Sequence, residues 1–243
     1  LRLTFEKSKV MSSQFEIVDN TGSEEKEVND IIFILDRSGS MSSMGTEPQD
    51  SLNNFIEEQK DLAKKLKDGS RFTLYTFNDK TDVVMREVPL EQAVEYTTFV
   101  PSGMTKLYDT IGTAINSKLT KQRSNNVICV ILTDGADNSS KTYTAASIKK
   151  LMGSAETEHG WKFMFLAANQ DAFESGRNIG VSNNRCSGFE ATPEGMRGVC
   201  RKLSGAVQQY RSATNSGLKT ELSMNHSNSA PPTVGRKNYM PSQ

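Results

Sequence analysis

An excess of charge of either sign is what this chain most plainly lacks. Its 243 residues carry 29 Lys and Arg against 29 Asp and Glu, a formal net charge of zero. A nucleic-acid binder needs a basic surplus to displace counterions from phosphates, so that function class is set aside. The lysines that do cluster, Lys60, Lys64, Lys65 and Lys67, are interleaved with acids and read as a solvated helix face. Cysteine is scarce as well. Cys129, Cys186 and Cys200 make an odd number without tight spacing, which suits neither a disulfide scaffold nor a zinc site. Such usage points to a reducing compartment. No apolar run is long enough to cross a membrane as a helix, and the opening Leu1-Arg2-Leu3-Thr4 does not read as a signal peptide. The expectation is an intracellular or virion-associated protein without membrane insertion. Internal repeats are missing too.

What is present is organised around the stretch from Asn29 to Met41. Ile31 to Leu35 are five apolar residues in a row, the mark of a strand buried on both faces. The run ends in Asp36, and hydroxyls follow at Ser38 and Ser40. A second buried run, Val127 to Leu132, ends in the same way at Thr133-Asp134-Gly135. Trp161 to Ala167 reads as a third strand, and Arg71 to Phe77 with Asp82 to Val88 as an antiparallel edge hairpin. Between them lie helical patterns. One carries Leu52, Phe55, Ile56, Leu62, Ala63 and Leu66, with Asp50 or Ser51 as N-cap after a loop from Met41 to Pro48. Another follows Pro101-Ser102-Gly103-Met104-Thr105, and a third runs from Tyr143 to about Glu156. The last, opened by Thr192 and Pro193, bears a stripe of Met196, Val199, Cys200, Leu203, Val207 and Tyr210.

Strands alternating with helices predict an α/β fold. The expected form is a Rossmann-like three-layer sandwich: a mostly parallel sheet, one antiparallel edge strand, helices on both faces. Residues 1–28 read as an appendage with two short strands, 29–212 as the domain, and 213–243 as a flexible polar tail.

In such sheets, ligands bind beyond the carboxyl ends of the strands. Three loops can converge there, carrying Asp36, Ser38 and Ser40, then Thr105, then Asp134. Two carboxylates and three hydroxyls form a hard-oxygen set suited to Mg²⁺ or Mn²⁺. Like charges repel in a low-dielectric crevice, and a divalent cation removes that cost. Metal binding should therefore raise stability by mass action.

Asp36-x-Ser38-x-Ser40, Thr105 and Asp134, in this order and on these elements, resemble the metal-ion-dependent adhesion site of the von Willebrand factor A domain family. The similarity covers about residues 29–212. The phrases Gly103 to Gly112, Leu132 to Asn138 and Ala168 to Ala172 look most like intracellular bacterial, phage or viral members. The resemblance implies that Ser38 and Ser40 ligate the metal directly, and Thr105 directly or through water according to state. It also implies that Asp36 and Asp134 hold metal-bound waters, or that one of them binds directly. A sixth position stays open for an Asp or Glu of a protein partner. A switch in which the last helix moves is a further implication. Asp137 and Asn138 read as supports of the third loop rather than ligands.

Catalysis is not expected. A haloacid-dehalogenase-type phosphatase needs a carboxylate where Ser38 stands. A serine hydrolase needs a nucleophile frame and a histidine base, yet His159 and His226 lie before the third strand and in the tail. The phosphate-binding Gly-x-x-x-x-Gly-Lys-Ser/Thr pattern is missing. Two readings compete: a metal-dependent protein–protein interaction module, and an assembly subunit whose termini make the contacts, self-assembly included.

Overall fold

The computed structural model describes residues 28–120, 126–168 and 172–224. The two short strands expected near the start lie outside these residues, as does everything beyond Met224. The elements are β1 (Asn29–Asp36), α1 (Glu47–Leu66), β2 (Arg71–Phe77), β3 (Thr81–Pro89), α2 (Leu107–Leu119), β4 (Asn126–Thr133), α3 (Ala145–His159), β5 (Lys162–Ala168), α4 (Ala172–Asn178), β6 (Cys186–Phe189) and α5 (Pro193–Asn215). One six-stranded sheet orders them β3-β2-β1-β4-β5-β6. Only the β2–β3 edge pair is antiparallel. This is the three-layer α/β sandwich with one antiparallel edge.

The period of two along β1 explains the layers. Ile31, Phe33 and Leu35 join one core with Leu52, Phe55 and Ile56 of α1 and Met196, Leu203 and Val207 of α5. Ile32 and Ile34 join the opposite core with Leu107, Ile111 and Ile115 of α2 and Ile148 and Met152 of α3. A strand whose five central residues are all apolar thus has both faces covered, as a parallel sheet requires. The whole stripe expected on α5 is buried, and Thr192 Oγ1 caps it by accepting from Gly195 N at 3.1 Å.

Four expectations are corrected. The segment from Met41 is not an open loop: Gly39–Met44 form a 3₁₀ turn that buries Met41 and Met44. Helix α1 then begins at Glu47, three residues before Asp50, with Pro48 in its first turn, where a missing N–H costs nothing. Helix α3 starts at Ala145, capped by Thr144, whose hydroxyl accepts from Ser147 N while Ser147 Oγ accepts from Thr144 N. The stretch assigned to a tail from 213 stays with the fold through Met224, because Leu222 and Met224 find room in the α1–α5 core. Strand β6 and helix α4 were not expected.

The amino ends of the strands form a buried polar pole. Arg211, fully buried in α5, donates to Asp68 Oδ2 at 2.8 Å, Ser70 Oγ at 3.0 Å and Gln59 Oε1 at 2.8 Å. Lys118 pairs with Asp30 at 2.7 Å and Glu87 at 3.1 Å, and Arg71 also reaches Asp30. Charges at this end are neutralised within the chain.

Candidate metal centre

The carboxyl ends differ. From β1 the sheet continues to β2 on one side and to β4 on the other, so the crevice between β1 and β4 is the topological switch point. Asp36 ends β1 and Thr133 ends β4, each one residue past the paired Leu35 and Leu132. Asp36 is wholly buried. Its Oδ2 accepts from Thr133 Oγ1 at 2.6 Å and its Oδ1 from Ser38 N at 2.7 Å.

From this floor a row of oxygens climbs outward. Ser38 Oγ lies 3.2 Å from Ser40 Oγ, and Ser40 Oγ donates to Asp134 Oδ1 at 2.7 Å. Ser38 is buried, Asp134 half-buried and Ser40 exposed. Thr105 lies beside the same loop. A Cβ on Gly135 would meet Thr105 Oγ1 at 3.5 Å and Ser40 Oγ at 4.0 Å, so the hydroxyls flank this glycine. The five residues singled out from the sequence are therefore brought together.

Backbone bonds hold the loops in place. Arg37 N donates to Phe77 O at 2.8 Å, Ser102 N to Arg37 O at 2.9 Å and Gly39 N to Gly103 O at 3.0 Å, which zips the first loop to the second. Gly103 has φ +75°, and a Cβ there would sit 2.0 Å from Asp79 Oδ2, so only glycine fits. Arg37 pairs with Asp82 on β3.

The electrostatics ask for a cation. Burial pushes the Asp36 carboxyl up from 3.8 to about 6, against the pull of its bonds from Thr133 and Ser38, and the Asp134 charge adds to the rise. Burial also raises Asp134 above the usual carboxylate range, although Ser40 opposes it. No group of three or more His, Cys, Asp or Glu fit to hold a metal occurs among the described residues. The donors here are instead two carboxylates and three hydroxyls, a composition that fits a hard divalent cation.

Sequence reasoning gave no role to Thr133. The signal was present, since a hydroxyl ends β4 at the register where a carboxylate ends β1. Asp137 and Asn138 lie where a support of the third loop should. Asp137 Oδ1 accepts from Tyr108 N at 3.2 Å, and Asn138 Oδ1 from Thr105 N at 2.7 Å. His159 closes α3, remote from the serines in sequence and on another element.

A mostly parallel sheet with an oxygen-lined switch point and helices on both faces defines a class of three-layer α/β domain. The family model for the von Willebrand factor type A domain matches residues 30–195, and the chain belongs to that family. Comparison with curated proteins gives no match. Among solved structures, the chain is similar to proximal thread matrix protein 1 from the mussel byssus, described with a zinc-occupied metal-ion-dependent adhesion site. There the identity is 15%, the TM-score 0.54, and the alignment covers 77% of this chain and 46% of that one. The PilB minor pilin from Streptococcus sanguinis matches at 16% identity and TM-score 0.53, over 76% of this chain and 62% of that one. The pilus adhesin SpaC from Lactobacillus rhamnosus GG matches at 13% identity and TM-score 0.57, over 76% and 31%. The chain thus spans less than two thirds of each of these proteins, and at such identities the likeness is one of fold. No helix among the described residues is long and apolar enough to cross a membrane.

Proposed function

We propose that this domain is a metal-dependent protein–protein interaction module in which Mg²⁺ or Mn²⁺ is held by Ser38, Ser40 and Thr105 with Asp36 and Asp134. The observation that carries this reading is the oxygen row Ser38–Ser40–Asp134 rising from the buried Asp36 to the exposed Ser40. The cation would neutralise two carboxylates that burial has made reluctant to ionise. Its outward side would accept an Asp or Glu of the partner. Around it the chain supplies a firm rim, including Met104, a large apolar side chain 52% exposed whose backbone N is held by Asp79 Oδ1 at 3.1 Å.

The same reading makes the domain a binding module rather than an enzyme, with the Ser38 and Ser40 hydroxyls spent on each other and on Asp134 as members of one ligand set. The three cysteines, Cys129, Cys186 and Cys200, are free and buried, and none lies among the proposed ligands.

A displayed random-peptide library panned on the full chain tests the proposal, with Mg²⁺ or EDTA, on wild type and Ser38→Ala. Enrichment of acid-containing peptides that EDTA and Ser38→Ala both abolish is the expected result. Enrichment indifferent to both would overturn it and favour assembly through the termini.

A further inference from the structure

The third loop is joined to the start of α2 by more bonds than a surface loop needs. Thr105 N donates to Asn138 Oδ1 at 2.7 Å, while Asn138 N and Ser139 N return bonds to Thr105 O at 3.0 and 3.2 Å. Further along, Ser140 Oγ donates to Asp137 Oδ1 at 2.5 Å and accepts from Asp109 N at 2.9 Å. The Asp109 carboxylate then collects three successive backbone N–H groups. Lys141 N donates to Oδ2 at 3.0 Å, and Thr142 N and Tyr143 N each donate to Oδ1 at 2.9 Å. The Tyr143 ring seats on Gly112, where a Cβ would meet it at 2.5 Å, and its hydroxyl accepts from Asn116 Nδ2 at 2.7 Å. Residues 137–143 are thereby fastened to the first turns of α2.

We propose that Asp109 and Asn138 are positioning residues that lock the Thr105 loop to the Asp134 loop, and that this lock sets the size selectivity of the metal centre. The inference rests on the metal-dependent reading above. Thr105 is bonded to Asn138 and Ser139, so its movement towards or away from a cation is tied to the segment that follows Asp134. A rigid oxygen cage favours Mg²⁺, which demands near-ideal octahedral geometry, whereas Ca²⁺ accepts irregular and expanded shells. Loosening the lock should therefore cost Mg²⁺ more than Ca²⁺. Asn138 is exposed, so its truncation leaves the core intact. In Asp109→Asn, the new amide N–H₂ would confront backbone N–H donors that now meet an acceptor.

Calorimetric titration of the full chain with Mg²⁺ and, separately, Ca²⁺ tests this on wild type, Asn138→Ala and Asp109→Asn. Arg185→Ala, which breaks a remote pair with Glu156, serves as a control for general destabilisation. Outer-shell partners typically contribute about 10–100-fold to metal affinity. The expected result is a loss of about tenfold or more for Mg²⁺, a smaller loss for Ca²⁺, and an unchanged ratio in the control. Equal losses for both ions, or Mg²⁺ affinity within about twofold of wild type, would overturn the lock while leaving the metal site standing. Failure of the wild type to bind either ion would overturn the site itself and the lock with it. Should Asp109→Asn fail to fold, Asn138→Ala decides alone.

Discussion

Replacing Asp36 by Asn should make the metal-free domain more stable while removing its response to metal. The Asp36 carboxyl is fully buried, and burial lifts it from 3.8 to about 6. A raised carboxyl means that the folded chain keeps a proton the unfolded chain has already lost. Below about pH 4 both states are protonated and burial of the neutral acid carries no electrostatic cost. As pH climbs through 6 the folded state must ionise, and stability falls to a plateau above that value. At about 1.4 kcal/mol per pH unit, the loss approaches about 3 kcal/mol. Asparagine has the same shape and never ionises. Its Oδ1 can accept from Ser38 N as the carboxylate does. Its Nδ2 can donate to Thr133 Oγ1, because that hydroxyl already has a second acceptor in Gly135 O at 3.0 Å.

The assay is thermal or urea unfolding in EDTA at pH 4 and pH 8. For a chain of this size each kcal/mol moves the midpoint by about 2–4 °C, so a rise of about 6–12 °C is expected at pH 8 and little change at pH 4. With Mg²⁺ added at 100 times its dissociation constant, the wild type should gain about 2.7 kcal/mol and the variant nothing. An Asp36→Asn protein less stable than wild type in EDTA at pH 8, or equally favoured at both pH values, would refute this reasoning. The carboxylate would then be a structural anchor rather than a charge waiting for a cation.

Ser38→Ala and Thr105→Ala should each abolish the Mg²⁺-dependent rise in melting midpoint while circular dichroism reports an unchanged fold. Gly103→Ala should destabilise by more than the ~1–2 kcal/mol that a left-handed conformation costs an L-residue, since its Cβ also strikes Asp79. Adding Asp79→Ala should recover the excess in urea titrations, and no recovery would refute the clash. Arg211→Ala should cost about 3–5 kcal/mol by leaving Asp68 charged and buried without its partner. Arg211→Met with Asp68→Asn should cost clearly less in the same titrations.

Much of the fold was legible because its central strands are extreme cases. A five-residue apolar run ending in Asp36 has no half-exposed alternative, and the run ending at Thr133 repeats it. The α5 stripe was legible for the same reason, its period unbroken over about four turns from Met196 to Tyr210 and its start marked by Thr192-Pro193. Strand β6 escaped because Cys186-Ser187-Gly188-Phe189 is a four-residue edge strand, buried only at Cys186, and carries no periodic signal. The start of α1 was misplaced because Pro48 was read as the end of a loop rather than as a first-turn residue. At the candidate centre, the oxygen-bearing residues could be picked out of the sequence, but the partners that hold them could not. Thr133 acts on Asp36, and Asn138 on Thr105, through a register and a loop path that exist only once the chain is folded.

The two ends of the sheet differ in how their buried carboxylates are compensated. At the amino ends, Asp30 meets Lys118 and Arg71, and Asp68 meets Arg211, so each buried carboxylate has a cation supplied by the chain. At the carboxyl ends, Asp36 and Asp134 receive only hydroxyl and backbone donors among the described residues, and Arg37 is drawn off to Asp82. A fold able to bury an arginine against Asp68 has the means to neutralise Asp36 in the same way, and it does not. An uncompensated pair of acids destabilises the folded state at neutral pH, and a divalent ion reverses that term. On the proposed function, the stability of this domain would be coupled to metal at the face where Ser40 and Met104 meet solvent, and insulated from it at the opposite pole. A chelator should soften the β1–β4 crevice in hydrogen exchange while leaving the amides around Asp68 and Arg211 as protected as before.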